Sequence, residues 1–126
     1  MTPARILVVE DNPLNLKLAR DVLTFAKYDV IEAQSGEDAL RVAQETPPDL
    51  VLMDLQLPGI DGTETLRRLR ESALGPDVPV VAVTALAMAE DKERAAHAGF
   101  DGYIEKPISA RALPGQIEAF LSGRAP

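Results

Sequence analysis

Short β-branched runs alternate with stretches of helical spacing along the whole chain. The first, Arg5 to Val9, reads as a buried strand because nothing polar interrupts Ile6-Leu7-Val8-Val9. Asn12 suits the N-cap of a following helix and Pro13 its first position, where no backbone donor is needed. That helix is expected to run to about Ala26, with Leu16, Leu18, Ala19, Val22, Leu23 and Ala26 as its core-facing stripe. Tyr28 to Ala33 reads as a second strand. Ser35 caps the next helix, Asp38 is placed for a weak capping box, and Pro47-Pro48 ends it.

Leu50 to Met53 is a third, wholly apolar strand, and Pro58-Gly59 marks the loop beyond it. A helix from about Asp61 to Glu71 precedes a fourth strand, Val78 to Val83, which Pro79 interrupts near its start. An alanine-rich helix follows over roughly Ala87 to His97, ended by Gly99. Gly102 to Ile104 is a short fifth strand, and a last helix starts at Ser109 and fades near Gly123. Strands that are apolar throughout, alternating with helices, predict a doubly wound α/β fold: a five-stranded parallel sheet with five helices covering both faces. No linker or repeat divides residues 1–126, so a single domain is expected.

Composition narrows the function classes. The chain has 126 residues, 46% hydrophobic and 26% charged, as in an ordinary globular domain. It has no cysteine, which excludes disulfides and thiolate metal sites. A net charge of −7 and sparse aromatics argue against direct nucleic-acid binding. No apolar stretch is long enough for a signal peptide or a membrane span, so a cytoplasmic location without membrane contact is expected.

In such a sheet, ligands bind beyond the C-terminal ends of the strands. Glu10 and Asp11 follow the first strand, Asp54 the third, Thr84 the fourth and Lys106 the fifth. Singly, each has an ordinary explanation: acids suit helix starts, and a threonine or lysine at a strand end is unremarkable. Jointly, three carboxylates at one edge repel unless a proton or a cation intervenes. A hard divalent cation such as Mg²⁺ takes oxygen ligands of this kind, often together with phosphate oxygens. Lys106 adds a positive charge and Thr84 a hydroxyl, so a phosphoryl group on the Asp54 carboxylate, a known class of nucleophile, would be accommodated.

The segments Ile6-Leu7-Val8-Val9-Glu10-Asp11-Asn12, Pro48-Asp49-Leu50-Val51-Leu52-Met53-Asp54 and Pro58-Gly59-Ile60-Asp61-Gly62 stand in a telling order. Pro79-Val80-Val81-Ala82-Val83-Thr84-Ala85 and Gly102-Tyr103-Ile104-Glu105-Lys106-Pro107 complete the set. Together they resemble the CheY-like receiver domain of two-component response regulators over nearly the whole chain. Glu10-Asp11-Asn12-Pro13-Leu14-Asn15-Leu16-Lys17-Leu18 and Val83-Thr84-Ala85-Leu86-Ala87-Met88 further resemble stand-alone regulators of the DivK type.

The resemblance implies a signalling phosphoacceptor rather than an enzyme. Asp54 would be the phosphoacceptor, assisted by Thr84 and Lys106. Glu10, Asp11, Asp54 and the backbone carbonyl of Gln56 would hold Mg²⁺ or Mn²⁺, with Asp11 a direct ligand. Thr84 and Tyr103 would form the switch pair, and the bond before Pro107 is expected to be cis. A histidine kinase or histidine phosphotransfer protein would be the donor, docking over Leu14 to Leu18 and the turns that follow. A downstream protein would be the target, and the chain a monomer or a weak phosphorylation-dependent dimer. A receiver cut from a hybrid histidine kinase or a larger regulator is the alternative setting. A Mg²⁺-dependent aspartyl phosphatase fits less well, because Gln56 stands where a second acid is wanted. A flavodoxin-like cofactor binder fails because Glu10-Asp11 would repel phosphate. A receiver that never takes phosphate is disfavoured by the complete set of site residues.

Two departures from the family carry expectations. Pro114-Gly115 falls early in the last helix and predicts a kinked or late start, weakening the usual dimer face of fourth helix, fifth strand and fifth helix. Leu86 is apolar where it would shield the site from water, which predicts slow spontaneous loss of phosphate. His97, alone on a polar helix face, is read as a surface residue.

Overall fold

The structure is a computed structural model that describes residues 3–55, 59–60, 62–74, 77–85 and 89–122, without the side chains of 89–92. Gln56, Pro58, Asp61, Leu86, Ala87 and Met88, which carry several of the sequence expectations, lie outside the described residues.

The elements run in strict alternation: β1 Arg5–Val9, α1 Pro13–Phe25, β2 Asp29–Ala33, α2 Gly36–Glu45 and β3 Leu50–Asp54. They continue with α3 Gly62–Ser72, β4 Val80–Thr84, α4 Ala89–Ala98, β5 Gly102–Glu105 and α5 Leu113–Leu121. All strands pair in parallel, in the order β2-β1-β3-β4-β5. The predicted doubly wound sheet is therefore the observed one. Among the described residues no helix is long and apolar enough to cross a membrane.

Period-two alternation divides the buried strands between two cores. Leu7, Val9, Val51, Met53, Val80 and Ala82 pack with Ala39, Ala43, Leu66, Leu69, Ala95 and Phe100 from α2, α3 and the α4 end. Ile6, Val8, Leu50, Leu52, Val81 and Val83 pack on the other face with Leu16, Ala19, Leu23, Leu113, Ile117 and Phe120 from α1 and α5. β5 sits close under α5, and Gly102 permits it: a Cβ there would lie 2.3 Å from the Phe120 ring.

Local signals explain most boundaries. Asn12 caps α1 by accepting from the amides of Leu14 and Asn15 at 2.9 and 3.2 Å, and Pro13 opens the helix. Ser35 Oγ accepts from the Asp38 amide at 3.0 Å, but the Asp38 carboxylate returns to the amide of Gln34, one residue before the cap. Leu18 departs from the expected stripe: it is 37% exposed, while Leu16, Ala19 and Leu23 are buried. Its position on the helix wheel points it away from the sheet. The last helix starts late, as Pro114-Gly115 led us to expect. Ser109 to Ala112 form a turn closed by Leu113 N–H to Ser109 C=O at 2.9 Å, and Pro114 stands in the first turn of α5.

Candidate functional site

The chain leaves β1 toward β2 on one side and returns through β3 on the other, so a crevice opens beyond the ends of β1 and β3. Alternation decides which polar side chains enter it. Glu10 continues the parity of Ile6 and Val8, and Asp54 that of Leu50 and Leu52, so both carboxylates stand over the same face. Glu10 is 4% exposed and Asp54 3%. Asp11, one residue on, is exposed at the rim. One carboxylate oxygen from each of the three lies within 4.8 Å of the others.

Asp54 is the last residue of β3 rather than the first of a turn, and the sheet holds it. Its register partner is Val83, whose carbonyl also accepts from the Leu55 amide at 3.2 Å. α3 begins against it, because Gly62 has no side chain: a Cβ would stand 3.0 Å from the Asp54 carbonyl oxygen. Glu10 is fixed by its own amide, which donates to Ala33 C=O at 3.0 Å, and by Asn12 N–H, which donates to its carboxylate at 3.2 Å.

Lys106 joins the two buried acids. Its Nζ is 3.1 Å from Asp54 Oδ2 and 3.1 Å from Glu10 Oε1. Its amide donates to Thr84 C=O at 2.8 Å, and the following bond to Pro107 is cis, as expected. Thr84 ends β4 and is buried beside this cluster, at 5% exposure. Tyr103 on β5 is 36% exposed and borders a groove of about 540 Å³ with Gln116 and Phe120.

The electrostatics follow from burial. Loss of water raises the Glu10 pKa, and the neighbouring Asp54 raises it further; the Asn12 amide and Lys106 only partly offset this. Burial works against the Lys106 ammonium, yet its bonds to Asp54 and Glu10 outweigh that and hold its pKa above the ordinary lysine value. Among the described residues, three carboxylates face the Lys106 ammonium, which leaves an excess of negative charge. An all-oxygen donor set under such strain fits a hard divalent cation.

Beneath the acids, Asn15, Ala19, Val83 and Ile108 floor the crevice. Asn15 and Ile108 were not singled out by sequence reasoning as lining the site. Spacing held the signal for Asn15, which lies three positions past the cap on the helix that leaves β1. The expected Gln56 carbonyl ligand lies outside the described residues.

Comparison with known proteins agrees with this geometry. Residues 6–118 match the family model of the response regulator receiver domain. The chain is 42% identical over 119 residues to the polar-differentiation response regulator DivK of Brucella anthropi, covering 94% of this chain and 97% of that one. It superposes on the receiver domain of a sensor histidine kinase from Pseudomonas aeruginosa PAO1 with a TM-score of 0.85 and 33% identity, over 95% of this chain and 98% of that one. That structure is described as having a magnesium ion coordinated in its active site cleft. A chemotaxis response regulator of Vibrio cholerae, CheY4, gives a TM-score of 0.89 at 25% identity, over 94% of this chain and 99% of that one.

Proposed function

The chain belongs to the response regulator receiver family, and from that premise we propose that it accepts a phosphoryl group on Asp54 from a histidine kinase or a histidine phosphotransfer protein. Receivers are signalling phosphoacceptors of two-component systems, not enzymes acting on an outside substrate. The observation that carries the reading is the bridge of Lys106 between Glu10 and Asp54, inside a cluster of three carboxylates.

Glu10, Asp11 and Asp54 would hold Mg²⁺ or Mn²⁺, with the Gln56 carbonyl as a further ligand. When bound, such a cation supplies neutralisation of negative charge on the phosphoryl oxygens. An Asp54 carboxylate oxygen attacks the phosphorus of a phosphohistidine; the new O–P bond forms as the N–P bond breaks. The electron pair stays on the imidazole nitrogen, which takes a proton from solvent. Lys106 then gives up part of its pairing with the carboxylates for a phosphoryl oxygen. The Thr84 hydroxyl donates to another phosphoryl oxygen, and Tyr103 moves inward to report the change to a downstream protein. Positioning and charge compensation account for the catalysis, since little covalent chemistry is asked of the other side chains.

The whole chain acts as one receiver. The near-complete overlap with DivK supports a regulator that works by docking to other proteins. The likeness to a sensor kinase's receiver supports the second setting, a module of a hybrid kinase. Phosphotransfer profiling against candidate kinases and phosphotransfer proteins tests the reading, with Asp54→Ala as control. Label should pass rapidly from one or a few donors to the wild type alone. Equal labelling of the control would overturn the assignment.

A further inference from the structure

Asn15 stands where packing alone would place an aliphatic side chain. Asn15, Ala19 and Leu23 are spaced four residues apart and form one row along α1. Ala19 and Leu23 are buried in the core, and Asn15 continues the row, half-buried, at the end nearest the acids. Its backbone is held in place, because its amide donates to Asn12 Oδ1 at 3.2 Å within the helix cap. A carboxamide at such a position gives up packing area and helix propensity, so its presence calls for a polar partner.

That partner lies across a cavity of about 10 Å³ that Asn15 shares with Glu10 and Asp54, room for about one water molecule. The other side chains lining it are apolar, among them Ala19, Leu52 and Val83. A water there meets the two to four polar partners that distinguish a hydrated cavity from a dry one. Its two O–H donors match the two carboxylates, which accept, and its oxygen accepts from the Asn15 Nδ2–H. Lys106 bonds both acids but does not line this cavity, which leaves that side of the pair to Asn15.

We infer that Asn15 is a positioning residue for the phosphoacceptor: its carboxamide anchors one water in this cavity, and the water holds the Asp54 and Glu10 carboxylates from beneath. This role rests on Asp54 being the phosphoacceptor, and it concerns what aims that carboxylate. A carboxylate held at one oxygen still turns about its Cβ–Cγ bond, and the direction of the attacking oxygen then wanders. A second bond, from the core side, fixes that rotation and keeps one oxygen directed outward toward the phosphorus. The effect falls on the rate of the chemical step rather than on binding of the phosphodonor.

Acetyl phosphate labelling at saturating Mg²⁺, read by intact mass against time, tests this in wild type, Asn15→Leu and Asn15→Ala. Leucine completes the apolar row and displaces the water, whereas alanine leaves room for a second water to replace the carboxamide. Asn15→Leu should match or exceed the wild type in Tm yet label about tenfold more slowly at saturating acetyl phosphate. Its half-saturating acetyl phosphate concentration should be unchanged. Asn15→Ala should melt lower than Asn15→Leu and label faster, an order that a packing role would reverse. In the wild type, the Ala19 and Val83 methyl groups should show NOEs to a long-lived water, and Asn15→Leu should lose them. Asn15→Leu labelling as fast as wild type would overturn the inference with the assignment of Asp54 intact. So would rates that follow Tm across the three proteins, or a wild type without the methyl–water NOEs. A wild type that gains no phosphoryl group at Asp54 would overturn both the assignment and the inference.

Discussion

Glu10 and Glu64 are both glutamates bonded to basic side chains, and the fold drives them in opposite directions. Glu64 lies in the first turn of α3, its carboxylate held by Arg67 Nε at 3.1 Å and Arg68 Nε at 2.7 Å. Those bonds pull its pKa from 4.5 to about 2, a carboxylate content to be charged. Glu10 has a partner in Lys106, but it is buried next to Asp54, and its pKa rises. Opposite charges near a carboxylate are thus not enough to settle it. On α3 water carries the rest of the cost, whereas at the strand ends burial leaves the cluster itself to carry it.

The largest test of this contrast is Lys106→Met. It removes the ammonium that bonds both buried acids, and in chelator it should lower stability by about 3 kcal/mol. Mg²⁺ should restore much of that loss, seen as a larger metal-induced rise in Tm than in the wild type. A metal-independent loss would mean that Lys106 matters for packing alone.

Glu10→Gln comes next and has the opposite sign. A carboxyl whose pKa is raised on folding binds more protons folded than unfolded, so its contribution falls as pH climbs above 4.5 toward the folded value. Above that window the penalty is constant, and removing the charge should raise Tm of the metal-free protein at neutral pH. The same variant should respond less to Mg²⁺. Thermal melts across pH, with and without chelator, read both effects.

Glu64→Gln should give the smallest change, because the pair is on the surface and screened by water. Here the folded pKa is lowered, so the contribution is complete above about 4.5 and is lost as pH falls through about 2. Wild type and variant should converge in acid, and also in 1 M salt, where the screening length is about 3 Å. Salt should leave the Glu10 difference largely intact. If salt erases both differences equally, burial is not what separates the two sites.

Particular residues show what the sequence made legible. Ile6 to Val9 and Leu50 to Met53 could only be strands buried on both faces, and their ends located the acids correctly. Pro114 announced the late start of α5 through its missing donor. Leu18 was assigned to the core because an apolar residue next to Ala19 fits a helical stripe, and sequence cannot tell which of two apolar stripes faces the sheet. The burial of Glu10 against the exposure of Asp11 was equally hidden, since it depends on strand parity carried past the end of β1. The sequence puts Lys106 just past the fifth strand, but its double bridge to Glu10 and Asp54 depends on β1, β3 and β5 being brought together.

The most direct measurement is intact mass after incubation with acetyl phosphate and Mg²⁺, followed by mapping of the modified peptide. The account predicts a gain of one phosphoryl group, located at Asp54, absent in Asp54→Ala and much slower in chelator. No gain, or the same gain in Asp54→Ala, would contradict it.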